Sequence, residues 1–182
     1  MKIFITFLIL IYSITLFANE DSIFYLKLKD NLDRPEDGYC LDITGNGQYV
    51  RFDMPLNGHN CKIDNNYVYP DETVQFRKDG TIYFPAYDLC ATVMGLNDNA
   101  LEFNALMPKP CYKNTPFLNA QNFQYFYFND NDQIQLKNSE LCITVGNTSK
   151  TTYSEKHKWR SLYMQNCKEA KSSHSAWFLD QK

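Results

Sequence analysis

The chain is 182 residues long, carries a formal net charge of −3 and contains six cysteines. That charge argues against a partner held through a basic face, nucleic acid above all. The stretch from Asn19 to Lys182 is one domain's worth of sequence with room for a sizeable core.

Met1-Lys2 opens a short apolar run, Ile3 to Phe17, which ends at Ala18 before the polar Asn19-Glu20. A positive start, an apolar stretch too short to span a bilayer and a small residue at the exit predict a signal peptide over residues 1–18. The mature chain, 19–182, is then secreted or periplasmic, with no transmembrane segment. In such a compartment six cysteines are expected to pair as three disulfides.

Past the leader, no long amphipathic helix is found, and short β-prone runs alternate with turns rich in Asn, Asp and Gly, so the class expected is all-β. The first alternating run is "FYLKLKD", Phe24 to Asp30. Next comes "CLDI" from Cys40, and then "LNGHNC", which ends at Cys61. "ETVQF", Glu72 to Phe76, closes this first stretch. The order repeats with "DGTIYF", "CATV" from Cys90, "LMPKPC" to Cys111 and "QYFYF", Gln124 to Phe128. A third pass reads "NDQIQL", "CITV" from Cys142, "LYMQNC" to Cys167 and "SAWFL", Ser175 to Leu179.

Cys40, Cys90 and Cys142 lie 50 and 52 residues apart, and Cys61, Cys111 and Cys167 lie 50 and 56 apart. Val74, Phe126 and Trp177 keep the same phase, 52 and 51 residues apart. Three pseudo-repeats, approximately 23–78, 79–130 and 131–182, therefore carry four short strands each, twelve in all. One unit cannot bury its apolar side chains alone, whereas three around a pseudo-threefold axis can close on a shared core. The period selects Cys40–Cys61, Cys90–Cys111 and Cys142–Cys167 from the fifteen possible pairings.

These motifs resemble the ricin B-type lectins, whose β-trefoil subdomains carry C-L-D-V, a second cysteine strand and Q-x-W. The resemblance spans Phe24 to Leu179 and implies a single β-trefoil domain. The closing motif departs from the pattern as "ETV", "QYF" and "SAW". In that family an aspartate after the first cysteine accepts sugar hydroxyls. A ring two residues before the second cysteine stacks on the sugar, and an asparagine before Q-x-W completes the site.

Carried over, these positions are Asp42, His59 and Asp71 in the first unit, with Asn60, Asn65 and Asn66 as neighbouring substitutes. The second unit has Thr92, Lys109 and Phe123, and the third Thr144, Gln165 and His174. The first unit alone keeps the aspartate, so sugar binding is expected at Asp42, His59, Asp71 and Asn60. Phe126 and Phe128 are read as core, and Tyr49, Tyr67, Tyr69, Tyr125 and Tyr127 as candidates for a surface groove. Trp159, in "KHKWRS", is read as part of a long insertion in the third unit.

The three histidines, His59, His157 and His174, lack metal-ligand spacing, and no phosphate loop or nucleophile turn occurs. No catalysis, metal or cofactor is expected. The resemblance implies a non-catalytic carbohydrate-binding protein whose partner is a glycan or glycoprotein, either alone or as the binding subunit of a larger assembly. The alternative is a protein-interaction or inhibitor β-trefoil that has lost sugar binding.

Overall fold

The computed structural model describes residues 22–62, 64, 66–152 and 154–181; the expected signal peptide lies outside them. The described residues form an all-β structure of thirteen strands with two single-turn helices, α1 (Ala120–Phe123) and α2 (Ser172–Ser175). No helix among them is long and apolar enough to cross a membrane.

The strands fall into three successive sets. The first is β1 (Phe24–Leu28), β2 (Tyr39–Asp42), β3 (Asn57–Asn60) and β4 (Thr73–Phe76). The second is β5 (Ile82–Phe84), β6 (Leu89–Val93), β7 (Leu106–Pro110) and β8 (Phe126–Phe128). The third is β9 (Ile134–Leu136), β10 (Leu141–Val145), β12 (Lys158–Asn166) and β13 (Trp177–Gln181). The strand beyond the expected twelve is β11 (Lys150–Thr151), which pairs with the start of β12. Trp159 is therefore on a paired strand, opposite Lys150 on one side and His59 on the other, rather than in a loop.

In every set the second and third strands form an antiparallel hairpin in one register. Cys40 faces His59, Cys90 faces Lys109 and Cys142 faces Gln165, each partner two residues before the second cysteine. The second cysteine of each hairpin is bonded to the first: Cys40–Cys61, Cys90–Cys111 and Cys142–Cys167, with sequence separations of 21, 21 and 25. Loops of that size stabilise by about 3 kcal/mol each in the chain-entropy view. Replacing Cys90 and Cys111 together by serine is expected to lower the unfolding free energy by about that amount in urea titrations. An unchanged midpoint would show that the bond adds nothing.

The outer strands run round a ring. β13 pairs with β1, β1 with β4, β4 with β5 and β8 with β9, all antiparallel. Two single links complete the circuit. Phe126 donates its N–H to the Gly80 carbonyl at 2.8 Å, and Trp177 donates its N–H to Asp132 at 2.8 Å. Closing the ring leaves these strands without open edges. Gly80 is needed at the first link, because its φ of 95° is left-handed and an added Cβ would collide with the Phe126 carbonyl.

Strand alternation sends Leu41 and Ile43, Ala91 and Val93, and Ile143 and Val145 into one core. Leu56, Leu106 and Leu162, each five residues before a second cysteine, join them. The three hairpins also touch pairwise. Leu56 N–H bonds the Leu106 carbonyl, Ala105 bridges Tyr163, and β3 pairs with β12. Phe126 is buried as expected; Phe128 is half-buried, packed on the core with its ring 5.2 Å from that of Phe76.

Candidate functional site

The residues after the inward-facing Leu41, Ala91 and Ile143 point away from the core, and in the first two units they meet the segment that follows the second cysteine. The middle unit shows the plain form. The Gln124 side chain donates to Thr92 Oγ1 at 2.8 Å and to the Pro110 carbonyl at 3.1 Å, and accepts the Tyr112 N–H at 2.8 Å. The third unit reaches the same end with other residues. Ser175 stands at the glutamine position, and Gln133 supplies the buried amide, donating to Cys167 O and Ser175 Oγ. Both arrangements are neutral.

The first unit is different because glutamate replaces glutamine. Glu72 Oε2 accepts the Lys62 N–H at 2.7 Å, as Gln124 accepts from Tyr112. Its other oxygen lies 3.5 Å from Lys62 Nζ and 3.4 Å from His59 Nδ1. Lys62 Nζ also donates to Asp71 and stands 3.5 Å from Asp42 Oδ2. Ile43 N–H bonds the Asp71 carbonyl at 2.9 Å, which pins the Asp71 segment to the strand carrying Asp42. Three carboxylates thus surround one ammonium.

The expected sugar residues are brought together here, but beneath the surface. Asp42 is 2% exposed, His59 7%, Asn60 6% and Asp71 fully buried. The His59 ring lies under that of His157, with centroids 5.8 Å apart, so the ring expected to stack on a sugar is covered. Asn60 donates to Asp37 and accepts the Lys158 N–H. Alternation correctly put Asp42 on the face away from the core, but the chain from Lys62 to Glu72 folds over that face and seals it. Thr92 and Thr144 are buried in the same way, each bonding the carbonyl two residues back.

Above the cluster lies a cleft of about 690 Å³ whose lining includes Asn60, Lys62, Asp64, Asn66, Tyr69 and His157. Lys62 belongs to both: its ammonium sits among the carboxylates and 6.0 Å from the Tyr69 ring centroid. Tyr67 is exposed beside the cleft and meets Tyr69 edge-on at 4.8 Å. Tyr49 and Tyr127 are exposed but do not line it, and Tyr125 is half-buried. Sequence reasoning did not single out Lys62. The signal for it was glutamate at the glutamine position together with lysine directly after the second cysteine.

Burial pushes the Asp42 carboxyl well above its ordinary value; Lys62 pulls it down, and the charges of Glu72 and Asp71 push it further up. Burial alone would lower the Lys62 ammonium, but Asp42, Glu72 and Asp71 outweigh it and hold the ammonium above its usual range. An aspartate raised on folding binds its proton more tightly folded than unfolded. Its contribution is fully present below the ordinary 3.8 and is lost as pH climbs through the raised value. Asp42→Asn removes that loss, so the variant should gain on the native protein by up to about 1.4 kcal/mol per pH unit across the window. His157 and His174, both lowered chiefly by burial, titrate in native and variant alike. Melting curves of both proteins at acidic and alkaline pH measure this; a gap that stays constant would assign Asp42 its ordinary value.

No protein-family model matches the chain, and no curated protein matches it in sequence. Solved structures do. The solution structure of the mdaA-1 domain is 12% identical with a TM-score of 0.58, over 90% of this chain and 91% of that one. The C-half of an earthworm R-type lectin, crystallised with GalNAc, is 14% identical with a TM-score of 0.50, over 88% of this chain and 99% of that one. At these identities the likeness is one of fold: this all-β, disulfide-stapled chain resembles the R-type lectin fold.

Proposed function

We propose that the chain is a secreted or periplasmic, non-catalytic carbohydrate-binding protein, a single β-trefoil of the ricin B-type lectin kind, which binds through the cleft of its first unit. The observation that carries this reading is the cleft itself. It offers ring and polar groups together, Tyr69 beside Asn60, Asn66, Asp64 and Lys62, in the one unit that keeps the aspartate. A sugar presents hydroxyls and one apolar C–H face, so that combination suits it. Asn60 meets the ligand at the wall, while Asp42, Asp71 and His59 act from below by fixing Lys62 and the cleft floor. The strand order, the ring of outer strands and the R-type lectin likeness support the trefoil.

The mature protein on a glycan array is expected to retain a defined set of glycans, with N-acetylgalactosamine-terminated ones as the first probe because the earthworm lectin half was crystallised with that sugar. Tyr69→Ala should weaken the best hit by about tenfold, 1.4 kcal/mol, with the melting temperature held. Retention of no glycan at millimolar concentration would remove the reading.

A second reading, a trefoil that docks a protein such as a partner subunit, is favoured by a different surface. Leu96, Leu101 and Phe103 lie exposed between β6 and β7, Phe103 at 70%, and exposed Phe117 adjoins Leu118, which bridges to Asn97. If the array is blank, this face of the second unit is where a protein contact belongs.

A further inference from the structure

Asp42, Asp71 and Glu72 place three carboxylates where water does not reach, and among the described residues Lys62 is the lysine or arginine paired with them. One oxygen of each aspartate, Asp42 Oδ1 and Asp71 Oδ1, has no hydrogen-bond partner, and Glu72 Oε1 has only its longer ion-pair contacts with Lys62 and His59. Buried acceptors without a partner are costly, and a bound ion is one of the standard ways in which they are satisfied.

A neutral donor points the same way and is not part of the acidic group. Asn57 stands directly opposite Asp42 across the β2–β3 hairpin, so their side chains share a face. It is 8% exposed; its amide nitrogen donates to Thr44 Oγ1, and its oxygen has no partner. An imidazole adds to the set: ligand atoms of Asp42, His59 and Glu72 all lie within 4.8 Å of one another. Two oxygens on opposite sides of a calcium-sized ion stand about 5 Å apart, so these side chains need little movement to share one. The position is already held by a cation on a tether. Lys62 Nζ approaches all three carboxylates, on a flexible four-carbon stem beside the open cleft into which it can swing.

We propose that the cluster is a divalent-cation site of calcium or manganese size, in which the ion exchanges with the Lys62 ammonium. Asp42, Asp71 and Glu72 supply carboxylate oxygens and Asn57 its amide oxygen, and His59 joins them once its Nδ1, 3.4 Å from Glu72, gives up its hydrogen bond to the Asn60 carbonyl. Binding turns Lys62 out into the cleft, adding a donor at its mouth. The site stands whether or not the cleft takes a sugar.

The test uses the mature chain freed of metal by a chelator and titrated with Mn²⁺, followed by the electron paramagnetic resonance signal of the free ion, with Ca²⁺ as competitor. The native protein is expected to take up Mn²⁺ at a single site. Lys62→Gln, which removes the tethered competitor, should bind about tenfold tighter, and Asp42→Asn about tenfold weaker than native. Nitrogen modulation in the pulsed spectrum should vanish in His59→Ala. No uptake by native or Lys62→Gln protein at about 1 mM, the weak end for extracellular calcium modules, would overturn the proposal. So would uptake unaffected by Asp42→Asn, which would put the ion elsewhere. If Lys62→Gln does not fold without metal, the native and Asp42→Asn titrations decide between these outcomes.

Discussion

Trp177→Ala is expected to destabilise the protein by about 3–5 kcal/mol, the range for removing a large aromatic side chain from a packed core. The side chain is 1% exposed and stands at the start of β13, opposite Leu28 on β1. Its indole N–H donates to the Ile143 carbonyl at 3.0 Å, so truncation strands a buried acceptor on β10 as well as opening a cavity. Its backbone N–H makes one of the two single links that complete the ring of outer strands. Trp159→Ala is the contrast. That residue is 38% exposed, and its loss should cost under about 1 kcal/mol. Urea unfolding followed by far-ultraviolet circular dichroism measures both. Equal effects would mean that Trp177 does not occupy the core position assigned to it.

Lys62→Gln is expected to cost a comparable amount, about 3–5 kcal/mol in the absence of metal, by a different mechanism. A buried charge group loses the lysine that, among the described residues, is paired with it, and keeps three carboxylates. The segment from Lys62 to Glu72 is then driven to open. The loss should shrink as pH falls and the Asp42 carboxyl, raised by burial, takes up its proton, whereas the Trp177→Ala loss should stay level. Asp42→Asn is the counterpart. It removes one of three like charges, so near neutral pH it should unfold no earlier than the native protein. Melting curves at several pH values separate these cases; a Lys62→Gln loss independent of pH would mean that charge compensation is not what Lys62 supplies.

The parts of the fold that were legible in the sequence are those set by period and by covalent chemistry. Alternation in "CLDI", "CATV" and "CITV" fixed which side chains enter the core, because a strand has only two faces. The even spacing of cysteines pointed to bonds within each unit, and the hairpins bring those pairs together. Trp159 was harder to place. With its neighbours "KHK" and "RS" it reads as part of an insertion, and its strand exists because β3 and β11 flank it, a tertiary pairing that local composition does not encode.

The site was legible as a set of residues but not as an arrangement. Asp42, His59 and Asp71 do converge, while the Asn60 side chain turns to Asp37 and Lys158. What sequence could not show is that the chain after Cys61 closes over them, which turns a surface carboxylate into a buried one. In the sequence, glutamate at position 72 is simply a departure from the closing motif. In the structure it is half of a charge pair whose other half, Lys62, lies ten residues upstream.

The proposal that the first unit's cleft is the ligand site is tested most directly by amide chemical-shift mapping on the labelled protein, titrated with the glycan that ranks highest on the array. The amides of Asn60, Lys62, Asp64, Asn66, Tyr69 and His157 are expected to shift together, along one saturation curve, while those of Thr92 and Thr144 stay still. Shifts confined to the second or third unit, or to the exposed Leu96–Phe103 face, would contradict it.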